Sequence, residues 1–139
     1  MAARRFAALA GIVYTLLGLL GFATDHVFGV FHAYPAHNAL HLAVGFVGFA
    51  GAMLEGLSWA YARVAGLFFL VLAVAGVFFP GLFPAMPLGP GDNVLHFLTG
   101  AIGLYVGYVA AYETGAHRSS RTAAGGRSGR RPNGTRGIR

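Results

Sequence analysis

A chain of 139 residues that is 56% hydrophobic and 10% charged is not an ordinary soluble domain, in which roughly a quarter of the residues carry charge. All ten basic residues are Arg, the formal net charge is +6, and there is no Cys, which excludes disulfides, thiolate metal sites and a cysteine nucleophile. Several apolar runs approach the roughly 20 residues needed to cross a bilayer, so an integral membrane protein is expected.

The chain starts with the short basic stretch Met1–Arg5. The apolar run Phe6–Ala23 follows, containing Gly11, Gly18 and Gly21. On its own this pattern reads as a signal peptide with Arg4 and Arg5 as its charged start. A related segment recurs in mid-chain as Ala62–Phe78, where no leader can be removed, so 6–23 is expected to be the first membrane helix.

Residues 24–37 form a loop with Asp25, His26, His32, Pro35 and His37, and with enough apolar side chains to lie at the interface. The second helix is expected over 38–54. A turn over 55–63 brings Trp59 and Tyr61 as interfacial anchors, and the third helix is expected over 61–79. Pro80, Pro84, Pro87 and Pro90 then hold four of the six prolines, a density no regular helix tolerates. The fourth helix is expected over 93–112. Residues 1–114 thus form one four-helix transmembrane domain. The remainder, 115–139, is an Arg/Gly-rich tail with seven of the ten Arg and almost no apolar content, expected to be a disordered cytoplasmic segment.

One pattern organises the chain. Asn38-x-x-His41-x-x-x-Gly45-x-x-Gly48 returns 55 positions later as Asn93-x-x-His96-x-x-x-Gly100-x-x-Gly103. In the same ungapped frame Pro35 matches Pro90, Gly11 matches Gly66 and Gly21 matches Gly76. Apolar composition produces chance Leu, Ala and Gly matches, but not Asn, His and Pro together. The expected architecture is an all-α, four-helix transmembrane bundle. It is built from two tandem two-helix repeats, parallel and related by an approximate two-fold axis along the bilayer normal. With four crossings every Arg falls on one side, and the loops 24–37 and 80–92 hold none. The positive-inside rule then places both termini in the cytoplasm.

Small residues recur along one face of each helix, as in Gly11, Tyr14, Gly18 and Gly21 or Gly66, Phe69, Ala73 and Gly76. In lipid such seams let backbones approach closely. On the same faces of the second and fourth helices Asn38 and His41, and Asn93 and His96, sit three residues apart and therefore side by side. The first expectation is structural. The Asn side chains cap their helices, and the His side chains hydrogen-bond across the axis or to loop carbonyls as interhelical glue. The second is a metal or haem site with His41 and His96 as ligands, imidazole suiting Zn, Cu, Fe and Ni. His37 and Asp92, which precede the two Asn at equivalent positions, could complete it. The third is proton or small-solute handling, since His titrates near neutral pH. His26, His32 and His37 also form a loose tract of possible metal ligands.

No phosphate-binding glycine loop, nucleophile elbow or carboxylate pair spanning a single site is present, so no catalytic residue is assigned. The expected surroundings are the lipid bilayer, with the tail drawn to anionic inner-leaflet lipids. A homo-oligomer or a larger membrane complex is also expected of a carrier, since four helices make only a narrow pore unless several copies assemble. Nucleic acid is not an expected partner, because the tail lacks interleaved aromatics and a folded module.

The stretch Phe31-His-x-x-Pro35-x-x-Asn38-x-x-His41-x-x-x-Gly45, the second motif Asp92-Asn93-x-x-His96 and the Gly-rich first helix resemble a known family. It comprises small four-helix membrane proteins, common in actinobacteria, that are catalogued as a domain of unknown function. The resemblance covers about residues 6–112. It implies a four-span fold in a bacterial plasma membrane and brings no activity. The leading expectation is therefore a non-catalytic structural or interaction protein of the membrane. A metal- or haem-binding protein is the alternative, and a small proton-linked transporter subunit a further one.

Overall fold

The structure, a computed structural model, describes residues 1–54, 56–110 and 112. It is all-helical apart from one minimal hairpin. The helices are α1 (Ala2–Ala23), α2 (Pro35–Met53), α3 (Leu57–Phe78) and α4 (Pro90–Leu104), the last continuing as a π-helical turn over Tyr105–Ala110. Between α1 and α2 the chain pairs β1 (His26–Val27) with β2 (Phe31–His32) in antiparallel register.

Among the described residues, three helical stretches are long and apolar enough to cross a membrane: Ala2–Ala23, Leu57–Phe78 and the continuous Pro90–Ala110. α2 is 19 residues long, but its first two turns carry Pro35, His37, Asn38 and His41, which lower its apolarity. Leucine, valine and phenylalanine point outward all along the bundle, as at Leu9, Leu16, Val64, Val71, Val94 and Phe97. That is the distribution expected of a surface solvated by lipid.

The helix starts differ from the sequence expectation. α2 and α4 begin at Pro35 and Pro90, three residues before the expected Asn38 and Asn93. Proline suits a first helical position, where its missing N–H would have no partner and its φ is already helical. The two Asn therefore do not cap. They stand one turn inside, and at α4 the cap interaction comes from Asp92, whose Oδ2 accepts the Gly89 N–H at 2.9 Å. α3 likewise starts at Leu57, so Trp59 and Tyr61 belong to its first turns and not to a connecting turn. The reversal is left to Gly56, whose φ of 84° no side chain adopts readily. The tail 115–139 lies outside the described residues.

α1 packs antiparallel along α2, and α3 along α4; these are the most extensive helix contacts. Glycine makes both possible. A Cβ on Gly45 would stand 2.7 Å from the Thr15 backbone nitrogen, and one on Gly48 would stand 2.9 Å from the Ala7 carbonyl oxygen. A Cβ on Gly100 would stand 2.6 Å from the Leu70 backbone nitrogen, and one on Gly66 would stand 2.7 Å from that of Leu104. The seams thus bring backbone against backbone, as small residues do in lipid.

The two helix pairs meet in a core of Ala7, Ala62, Phe6, Tyr61, Tyr14 and Phe69, among others. Tyr14 and Phe69 stack with ring centroids 4.6 Å apart. The Tyr14 hydroxyl donates to Thr99 Oγ1 at 3.0 Å, and the Tyr61 hydroxyl donates to the Val44 carbonyl at 3.3 Å. Both bonds tie one helix pair to the other.

Candidate metal centre

Directly above the Tyr14–Phe69 stack lies the most polar part of the interior. α2 contributes His37 and His41, one turn apart on the same face. α4 contributes Asp92 in its first turn and His96 one turn further in. Relative exposures are 2% for His37, 4% for His41, 0% for His96 and 1% for Asp92. Burial this deep normally requires a partner for each polar atom.

The partners are missing among the described residues. His37 Nε2, His41 Nε2 and both ring nitrogens of His96 are buried without a hydrogen bond, and so is Asp92 Oδ1. The imidazoles crowd one another instead. Ring centroids are 4.2 Å apart for His37–His41, 5.9 Å for His37–His96 and 6.2 Å for His41–His96. One ligating nitrogen from each of the three lies within 4.8 Å of the others. Asp92 Oδ1 faces His37 Nδ1 at 4.0 Å, on the far side of that ring from its unpartnered Nε2.

The floor and one wall are aromatic. Phe69 stacks on His96 at 5.1 Å, and Tyr14 meets His41 edge-on at 5.2 Å. These rings close the cluster off from the lower half of the bundle. Their part in the site was not anticipated from the sequence. The available signal was that Tyr14 and Phe69 interrupt otherwise small-residue seams at positions 55 apart.

Of the residues singled out by sequence, His37, His41, His96 and Asp92 converge, whereas the two Asn do not. Asn38 sits against Gly21 and Asn93 against Gly76, where any Cβ would collide with the carboxamide. They seat α2 on α1 and α4 on α3. Among the described residues, His41 Nε2 and both His96 nitrogens do not make the hydrogen bonds expected of them, across the axis or to loop carbonyls.

Apolar helices of membrane-crossing length around a buried polar cluster define a multi-pass helical membrane protein. Within that class, the chain belongs to the family described as a domain of unknown function (DUF4383), whose model matches residues 4–109. That stretch takes in α2, α3 and α4, all but the first two residues of α1, and every residue of the cluster. No curated protein and no solved structure matches the chain.

Proposed function

We propose that this protein binds a first-row transition-metal ion inside the membrane, with His37, His41 and His96 as ligands and Asp92 orienting His37. The observation that carries the reading is the trio of buried imidazoles with nitrogens within 4.8 Å and, among the described residues, no partner for four of those nitrogens. A purely structural role, which the sequence alone favours, leaves those nitrogens desolvated for nothing. An ion would satisfy one on each ring. Ligands at ~2.0–2.1 Å around a tetrahedral ion lie roughly 3.4 Å apart, so the rings need only small rotations to close on it.

The donor set supports Zn, Cu, Fe or Ni over the hard oxygen-seeking cations. The Asp92–His37 pair resembles the carboxylate–histidine–metal arrangement that fixes a ligand's tautomer and raises its basicity. A bare ion is favoured over haem. A macrocycle between His41 and His96 would need the space His37 fills.

The same proposal takes the bundle as four crossings of a bacterial plasma membrane with both termini cytoplasmic. α2 runs antiparallel along the whole of α1, which supports counting it as a crossing despite its polar start. Arg4 donates to the Ala52 carbonyl at 2.9 Å and Arg63 to that of Gly107 at 2.8 Å, which supports one basic end. The tail 115–139 would lie against anionic lipid at that end. An internal duplication accounts for the pairs that meet near the bundle centre: Tyr14 with Phe69, His37 with Asp92, and His41 with His96.

The test is elemental analysis of protein purified in mild detergent without chelator. Near one Fe, Cu, Ni or Zn per chain is the expected result, and none after reloading with each ion would overturn the reading. Asp92→Asn, which keeps the shape but removes the charge, is expected to weaken the metal by about 10–100-fold, measured by competition with a chromophoric chelator.

A further inference from the structure

The hairpin between α1 and α2 places two more imidazoles where the solvent begins. His26 and His32 are register partners across β1 and β2, both exposed, with ring centroids 4.4 Å apart. The turn that joins the strands is forced. Phe28 sits at φ 54° and Gly29 at φ 69°, and a bulky residue in the left-handed region is rare and costs stability. Val27 is buried at the base of the hairpin, and Val30 packs on Gly91 in the first turn of α4. The two rings are therefore held over the start of α4 and do not swing free on a loop.

Asp92 lies between this surface pair and the buried trio. The point above Gly89 where a Cβ would stand is 3.3 Å from Asp92 Oδ2 and 3.9 Å from His32 Nδ1. The carboxylate is within electrostatic range of both His32 and His37, and its unpartnered Oδ1 faces His37. A line of donor groups thus runs inward: His26 and His32 at the surface, Asp92 at the neck, then His37, and His41 with His96 at the bottom. Elsewhere around the cluster the described walls are the aromatic rings of Tyr14 and Phe69 and the closed glycine seams.

Resting on the metal-centre reading, we infer that His26 and His32 form a surface capture site for the same ion, which then passes over Asp92 to the buried His37–His41–His96 trio. Each step is a ligand exchange, one nitrogen or oxygen lone pair replacing another on the ion, with no change in oxidation state. Two exposed imidazoles hold a divalent ion loosely, and three desolvated ones hold it firmly, so the affinity gradient points inward. The carboxylate at the neck supplies the negative charge that eases a cation out of water and into a low-dielectric interior.

The experiment uses the full chain in detergent and the double variant His26→Ala/His32→Ala. These side chains are exposed, so the fold is not at stake. Cupric ion is titrated in and followed by electron paramagnetic resonance. Zinc loading from a buffered micromolar supply is followed in time. The wild type is expected to show a tight equivalent and then a weaker copper signal with imidazole nitrogen couplings. The variant should lose only the weaker signal, and should fill the tight site several-fold more slowly to the same final occupancy. An unchanged weak signal, or a loading rate equal to wild type, overturns the capture role while leaving the metal centre standing. A weak signal lost in the variant, with no tight equivalent in either protein, overturns the metal centre and the relay with it.

Discussion

His96→Leu is expected to abolish metal binding and to leave the metal-free protein as stable as wild type or more so. His96 is fully buried between Phe69 and the other imidazoles, and neither of its nitrogens has a partner among the described residues. Leucine is close to it in volume, so little cavity or overpacking results. Removing two unsatisfied polar atoms removes their desolvation cost, about 1–3 kcal/mol for a buried group. If His96 were interhelical glue, the same substitution would destabilise the apo fold. The check pairs elemental analysis with denaturant unfolding in detergent, with and without chelator. Loss of the ion together with an unchanged or raised chelated midpoint is the expected outcome. A wild type that binds metal no better than the variant, and a variant that unfolds earlier, would return His96 to a packing role.

The second large effect is mechanical. Gly100→Leu is expected to part α3 from α4 and lower stability by at least the 1–3 kcal/mol, roughly, of an overpacked core. Its Cβ would meet the Leu70 backbone nitrogen at 2.6 Å and the Gly66 carbonyl oxygen at 3.0 Å, neither of which can turn aside as a side chain can. His96 lies one turn away on the same face, so metal occupancy should fall with the midpoint. Gly81→Ala provides the control, since nothing stands within 4 Å of a Cβ there. Unfolding midpoints for the pair, measured side by side, decide the matter. Equal midpoints would mean that the seam is not what holds the helices.

Much of this was legible before any coordinates. The four helices, their glycine faces and the positions of His41 and His96 follow from spacing, because 3.6 residues per turn fixes which side chains share a face; His37 and Asp92 fall in the expected loops and enter the helices only because α2 and α4 start at Pro35 and Pro90. α2 and α4 start three residues before the expected positions, and α1 and α3 four. Asn38 and Asn93 carry good capping chemistry, but a proline three residues earlier suits the first helical position better, and the helix takes the longer course. Spacing along a helix is also silent on which faces oppose one another. That His37 reaches past its own helix to His96, while Asn38 turns to Gly21, depends on how α2 is rotated against its neighbours. The two-residue strands of the hairpin are too short to show alternation.

The wide turn at Tyr105–Ala110 has its own consequence. A π-turn is, in effect, one residue more than the regular ladder holds, and here the Gly107 carbonyl accepts from Arg63 Nε while the guanidinium lies 5.0 Å over the Tyr108 ring. The helix is therefore out of phase with itself on either side of Tyr105. Deleting one residue in this segment would bring it back into phase, close the ladder and swing Tyr108 through roughly 100° away from Arg63. A membrane helix ordinarily has no slack in its length, so among the described residues this turn is where the chain can be shortened by one residue at the least cost to the backbone ladder.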